Sequence, residues 1–229
     1  MTAPALVMVG MGSTDAQVAQ VAHSLRQGLQ RMRASLSVHC AFLEHCSPTP
    51  AQVVGQLVKQ GITEIVLVPL QLTHAIDPDE RALVQAAKLR TVHPELRIQV
   101  SRPIGPEVSL LTVLDQRLRS SHHRLPCLTG VADGSGPSVA QAIQGLRAQG
   151  RRHIAVGSFF LTATELFHAQ ADLAERCGAV SVSEPLGSAR EVMDLILARY
   201  AFAAMDLLDI GFDDLDEDVP ARHLSIVSA

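Results

Sequence analysis

At 229 residues, with 47% hydrophobic and 18% charged, the chain has the balance of a globular protein with a sizeable core, built as one large domain or two small ones. A formal net charge of −4 gives no electrostatic footprint for nucleic acid. An aromatic content of 3%, with no Trp and one Tyr (Tyr200), leaves no stacking platform for single strands. No apolar run approaches the roughly 18 residues that span a bilayer, and no basic segment precedes an apolar core at the start. Cys40, Cys46, Cys127 and Cys177 are scattered without a Cys-x-x-Cys pair. They are expected as reduced, mostly buried thiols of a cytoplasmic protein.

Residues 5–9 form an apolar strand, followed by Gly10-Met11-Gly12-Ser13-Thr14. The glycines permit a tight strand-to-helix turn in which Ser13 or Thr14 is a natural N-cap. Val18, Val21, Ala22, Leu25, Leu29 and Met32 recur at helical spacing and predict an amphipathic first helix. A second strand over 36–43 ends in Glu44-His45-Cys46-Ser47-Pro48. Thr49 caps a second helix with Pro50 at its first position, and Gly61 closes it. The unbroken apolar run 65–70 reads as a parallel strand covered on both faces. It opens into a turn-rich segment holding Thr73, His74, Asp77, Asp79 and Glu80. Pro78 suits the first turn of a helix that carries Leu83, Ala87 and Leu89 to about residue 91. Strand 96–100 leads into Ser101-Arg102-Pro103-Ile104-Gly105-Pro106, and a further helix carries Val108, Leu111, Leu114 and Leu118. Residues 120–126, with His122 and His123, read as a linker. The pattern then restarts: a strand over 127–132 ending in Asp133-Gly134-Ser135, a helix over 139–148, a strand over 154–160, a helix over 166–174, a strand over 180–183 and a helix over 189–207. From Asp213 the tail is an acidic, solvated charge run.

Segments recur in the same order. Residues 9–13 correspond to 131–135, 61–73 to 150–162, and Ser101-Arg102-Pro103-Ile104-Gly105 to Ser183-Glu184-Pro185-Leu186-Gly187. The second copy is shorter between Ser135 and Gly150 than the first is between Ser13 and Gly61, so a helix and a strand are missing from it. The repeat implies an α/β fold of two similar lobes facing a shared cleft, each a parallel sheet flanked by helices. The expected division is 1–120 for the first lobe, 126–207 for the shortened second and 208–229 for a flexible acidic tail.

Ligands of open α/β sheets bind outside the carboxyl ends of the strands. That places Gly10, Met11, Gly12, Ser13, Thr73, His74 and Asp77 of the first lobe, and Asp133, Ser135, Glu165 and His168 of the second, around the cleft. Backbone N–H groups at the helix starts after Ser13 and Ser135 suit an anionic ligand. His74 is a ligand or base, or else a polar loop residue. Asp77, Asp79 and Glu80 are also favoured in a first helical turn by the helix dipole. Met11 is a packing residue or a soft contact for a flat ligand. Asp133 is a metal or proton site, or satisfies its own turn. Glu165 and His168, three apart at a helix start, share a face. His39-Cys40 and His45-Cys46 invite a metal reading, but neighbours on a strand point to opposite faces, so neither pair chelates easily. His45 is the better placed, at a strand's carboxyl end.

The first strand ends in Gly-x-Gly-Ser, Val68-Pro69-Leu70 precedes a His-bearing loop, and Pro103-Ile104-Gly105-Pro106 follows the fourth strand. In these features the chain resembles the small sirohydrochlorin chelatases, class II tetrapyrrole chelatases, well over 5–120 and weakly over 126–205. The resemblance implies a lyase that inserts a divalent metal, cobalt or iron, into sirohydrochlorin or a related tetrapyrrole in cobalamin or sirohaem biosynthesis. The metal would be a substrate and no organic cofactor is expected. The implied partners are the tetrapyrrole and other enzymes of its pathway, with no nucleic acid and no membrane. In the family the first motif is Gly-His-Gly-Ser, and its His and the loop His hold the metal. Here the first position is Met11, a thioether that is a poor ligand for hard or borderline divalent ions and no base. The loop position falls on His74 with a short deletion or on Asp77 without gaps. His74 is thus the implied ligand and base, since neutral imidazole serves both roles, with Asp77, Glu165 and His168 as further candidate metal ligands. Gly10, Met11, Gly12, Ser13, Thr73, Asp133 and Ser135 are the candidate substrate contacts. Met11 also points to an alternative, a non-catalytic carrier, regulator or subunit that binds a tetrapyrrole or metal. A weaker reading is an unrelated α/β protein sharing only the Gly-x-Gly-Ser turn.

Overall fold

The computed structural model describes residues 3–72, 80–105, 107–119, 128, 130 and 137–209. In chain order the first half comprises β1 (Ala5–Gly10), α1 (Ala16–Met32), β2 (Val38–Phe42), α2 (Pro50–Lys59), β3 (Glu64–Pro69), α3 (Glu80–Val92), β4 (Arg97–Val100) and α4 (Val108–Arg119). The second comprises α5 (Val139–Ala148), β5 (Ala155–Val156), α6 (Glu165–Arg176), β6 (Ser181–Val182) and α7 (Arg190–Asp209).

The apolar runs of β1 and β3 form the middle of a parallel four-stranded sheet of order β2-β1-β3-β4. Side chains alternate across it. Leu6, Met8, Val66 and Val68 enter a core with Leu25 and Leu29 of α1, while Ala5, Val7, Ile65 and Leu67 enter another with Val54 and Leu57 of α2 and Ala86 of α3. Both faces are covered, as the unbroken runs require. The helix signals are local and are mostly as read. Thr49 and Gln52 form a capping box with Pro50 behind it. The first helix differs: its N-cap is Asp15, which accepts the Gln17 N–H at 2.9 Å, while Ser13 Oγ accepts from Asp15 N. The chain's own carboxylate therefore occupies the anion-favouring end of α1.

The buried stripes of two helices are shifted from those expected. In α3 they are Ala82, Ala86 and Leu89, with Leu83 42% exposed and Ala87 exposed. Small Ala82 and Ala86 let the helix lie close to the sheet. In α4 Leu110 and Val113 are buried, while Val108 is 75% exposed and Leu111 is also exposed.

The repeat recurs in hydrogen bonding. Gly61 and Gly150 end α2 and α5 with φ of 79° and 83°, and the next residues, Ile62 and Arg151, donate back to Leu57 and Leu146 at 3.1 Å each. Ser101 N donates to Leu67 O at 2.9 Å and Ser183 N to Val156 O at 2.8 Å, and each serine hydroxyl donates to the carbonyl of the residue after it. The second sheet is smaller than the run over 154–160 suggests. Among the described residues it is the parallel pair β5-β6, and residues 157–160 leave the strand, with Ser158 N donating to Ser183 Oγ instead of to a strand carbonyl. The expected linker, most of the 127–132 strand and the acidic tail lie outside the described residues.

The last helix of each half packs on the other half. α7 crosses to the first sheet, lying on β3 and β4, with Val192, Ile196, Tyr200, Ala203 and Leu207 joining Leu6, Met8, Val66 and Val68. Tyr200 donates to Pro4 O at 2.7 Å, Arg199 donates to Pro103 O at 3.0 Å and pairs with Glu107 at 2.9 Å, and Arg97 reaches both Glu64 and the Leu207 carbonyl. In return α4 sets Leu114 and Leu118 against Gly157, and Arg117 donates to the carbonyls of Glu184, Pro185 and Leu186. Among the described residues no helix is long and apolar enough to cross a membrane.

Ile196 is fully buried in this crossed contact. Ile196→Ala is expected to destabilise the full chain by about 2–5 kcal/mol, the usual range for a large-to-Ala core change. Urea unfolding measures it, and an unchanged midpoint would show that α7 does not complete the first core.

Candidate active site

Pairing of β1 with β2 sets Gly10 opposite Phe42, so the turns that leave these strands meet. The ladder continues past the strands: Leu43 N donates to Gly10 O at 3.0 Å and Glu44 N to Met11 O at 2.8 Å. Gly12 is required twice over. Its φ is +88°, and a Cβ there would lie 1.8 Å from Glu44 O. Ser13 is tied to the second turn by Cys46, whose thiol donates to Ser13 O at 2.8 Å and accepts the Ser13 N–H at 3.4 Å. Between these anchors Met11 is 37% exposed.

Glu44 stands beside this turn, its carboxylate 3.6 Å from His45 Nε2 and 4.0 Å from Arg81 Nη1 at the start of α3. At the end of β3, Leu70 N donates to Val9 O at 2.8 Å and Gly105 N to Gln71 O at 2.9 Å. A Cβ on Gly105 would lie 1.9 Å from Leu72 O, so glycine is what lets the turn after β4 close against the turn after β3. Four strand ends thus deliver one contiguous rim: Gly10–Ser13, Glu44–Cys46, Leu70–Leu72 and Ser101–Gly105. Leu72 is the last described residue of this segment before Glu80.

Of the candidate residues, Gly10, Met11, Gly12 and Ser13 are on this rim. Thr73, His74 and Asp77, and Asp133 and Ser135 of the second lobe, lie outside the described residues. Glu165 and His168 open α6, which follows β5 as α3 follows β3. Thr164 caps the helix, both side chains are exposed, and the His168 ring stands edge-on to Phe167 at 5.2 Å. Among the described residues no three His, Cys, Asp or Glu side chains gather as a metal cage.

His39 and Cys40 lie further back on β2 and belong to packing. His39 Nε2 is 2.8 Å from Ser37 Oγ, and Cys40 Sγ is 3.7 Å from His23 Nδ1. Burial, with Arg26 adding to it, holds the His39 imidazole below its ordinary pKa, and burial pushes the Cys40 thiol up against the opposing pull of Arg26. Two residues carried no weight in the sequence reading: Glu44 on the rim and Arg81 beside it. Glu44 had a usable signal, since it directly follows a strand. Its partnership with Met11 depends on β1 and β2 being neighbours, which spacing does not reveal.

Residues 5–121 match the model of the CbiX family. Over 72 residues the chain is 32% identical to a sirohydrochlorin cobaltochelatase of Methanopyrus kandleri, covering 31% of this chain and 50% of the relative. Over 118 residues it is 29% identical to a sirohydrochlorin ferrochelatase of Bacillus subtilis, covering 50% of this chain and 44% of the relative. The chain thus spans about half the length of the curated relatives it matches. Among solved structures it is similar to SirB from Bacillus subtilis with Fe3+, with a TM-score of 0.74 and 17% identity, covering 90% of this chain and 98% of that one. It is similar also to SirB from Bacillus subtilis subspecies spizizenii in complex with cobalt, with a TM-score of 0.68 and 20% identity over 90% and 97% of the two chains. At such identities the likeness shows the fold.

Two of the left-handed glycines, Gly61 and Gly12, separate backbone strain from steric exclusion. Gly61→Ala, with nothing within 4 Å of its Cβ, is expected to cost about 1 kcal/mol. Gly12→Ala, driven into Glu44 O, is expected to cost clearly more and to uncouple the two turns. Denaturant midpoints of the two variants give the comparison, and equal losses would contradict the close approach.

Proposed function

The chain belongs to the CbiX family, and on that premise we propose that it inserts a divalent metal, cobalt or iron, into sirohydrochlorin or a related tetrapyrrole. One observation carries the reading: the curated relatives that match 31% and 50% of the chain are a sirohydrochlorin cobaltochelatase and a sirohydrochlorin ferrochelatase. The metal is a substrate, and the reaction breaks two pyrrole N–H bonds, forms metal–nitrogen bonds to all four ring nitrogens and releases two protons.

Such a site needs a weakly held metal that can be surrendered and a base for the protons. His74, in the segment between β3 and α3, is the residue we assign to both tasks, since a neutral imidazole can do either. Asp77 on the same segment, and Glu165 and His168 at the start of α6, are the further acidic and imidazole groups assigned to metal delivery. The Gly10–Ser13 turn, with Thr73, Asp133 and Ser135, is assigned to the macrocycle. The glycines there let the turn lie close against the turn after β2, and Met11 offers the ring a soft, polarizable surface. Residues 1–120 and 126–207 would form the two walls of the cleft.

Met11 favours a second reading. With a thioether where the family carries an imidazole, the chain would bind metal or macrocycle as a carrier or subunit without insertion. The two readings separate in one assay: purified protein, sirohydrochlorin and Co2+ or Fe2+, followed by absorbance against the spontaneous rate. Insertion above that rate, reduced about 100-fold or more in His74→Ala and raised in Met11→His, is expected of the enzyme. Tight macrocycle binding with only the spontaneous rate is the carrier's result. Absence of binding to either substrate would remove both readings.

A further inference from the structure

The turn after β2 is built in an unusual way. Cys46 N donates to Glu44 O at 2.6 Å, two residues back, and His45 between them has φ of +57°. This is the rarer, left-handed kind of three-residue turn, strained for a residue with a Cβ. Such strain persists where the surroundings over-determine it, and it gathers at functional sites. Here the surroundings do so. Glu44 N is tied to Met11 O, Cys46 Sγ is tied to both backbone groups of Ser13, and Phe42 N closes the loop on Pro48 O at 2.9 Å. Glycine would occupy this position without strain, asparagine, aspartate and histidine are the side-chain-bearing residues most often found at positive φ, and of these the chain places an imidazole there. That imidazole faces solvent with its side chain 56% exposed, 3.6 Å from the Glu44 carboxylate. It sits on the turn hydrogen-bonded to Met11, the position where the family's motif carries its own imidazole.

We propose that His45 is the metal ligand on this side of the cleft, supplying to the incoming divalent ion the imidazole that position 11 lacks. An imidazole beside a carboxylate is a donor set suited to borderline divalent ions such as Co2+ and Fe2+. Two protein donors hold an ion less firmly than a closed four-ligand cage, as a metal that must pass to a macrocycle requires. Met11, whose carbonyl accepts the Glu44 N–H at 2.8 Å, carries a polarizable thioether on the neighbouring turn. The role of His45 as donor to a substrate metal rests on the chelatase reading above, while the binding of a divalent ion at His45 stands without it.

The test is Co2+ titrated into the purified full chain and followed by calorimetry, for wild type, His45→Asn, Met11→His and the double variant. Asparagine tolerates the left-handed backbone, and thermal midpoints within a degree or two of wild type confirm that the turn survives. His45→Asn is expected to weaken Co2+ binding at least tenfold, and adding Met11→His to it is expected to restore most of the loss. Co2+ binding unchanged in His45→Asn, or no Co2+ binding by wild type, would overturn the proposal. Failure of the double variant to recover would overturn the claim that His45 stands in for position 11. The insertion assay keeps the two readings apart. His45-dependent Co2+ binding without insertion upholds this ligand and removes the chelatase, whereas insertion by a wild type whose Co2+ binding is unchanged in His45→Asn removes this ligand and leaves the chelatase.

Discussion

Everything in the first half depends on two strands that have no solvent face. With Leu6, Met8, Val66 and Val68 fully buried on one side and Ala5, Val7, Ile65 and Leu67 on the other, β1 and β3 must be roofed twice. α2 and α3 roof one side from within the same half. On the other side α1 covers β1 and β2, and the area over β3 and β4 is roofed by α7, from the far end of the chain. The exchange of α4 and α7 between halves is therefore a matter of covered area, and it binds the degenerate second half to the first.

The same parallel sheet makes the site. Side chains play little part in gathering the rim; the strands end together on one edge, and backbone groups of adjacent turns complete each other's hydrogen bonds. Met11 O takes the Glu44 N–H, Gln71 O takes the Gly105 N–H, and glycine at 12 and 105 removes the atoms that would otherwise separate the turns. Cys46 acts here as a small two-way hydrogen-bonding group rather than as a metal thiolate or a nucleophile.

Features written in neighbouring residues were legible in the sequence. β1 and β3 follow from their apolar runs, α2 from Thr49, Pro50 and Gly61, and the repeat from the Ser-x-Pro-x-Gly segments that make equivalent bonds in both halves. Features that depend on what lies opposite were not. Apolar residues at 154–160 suggest a full strand, but among the described residues the strand stops at Val156 and Ser158 N turns to the Ser183 hydroxyl. Leu83 and Ala87 fit a helical stripe as well as Ala82 and Ala86 do; closeness to the sheet decides for the smaller pair. The destination of α7 is likewise a tertiary fact, since its periodicity says only that one side is apolar. At the site, the glycine pattern marked the first turn, whereas Glu44 became visible only once β2 was known to lie beside β1.

The bond from Tyr200 to Pro4 joins positions at opposite ends of the described chain. Contacts of that sequence separation close the largest loops and come late in folding. During synthesis the sheet is complete at β4, while the face meant for α7 has nothing to rest against until residues 190–209 have left the ribosome. The first half is thus a nearly finished domain whose apolar face over β3 and β4 stays bare until a helix made well after β4 arrives to cover it.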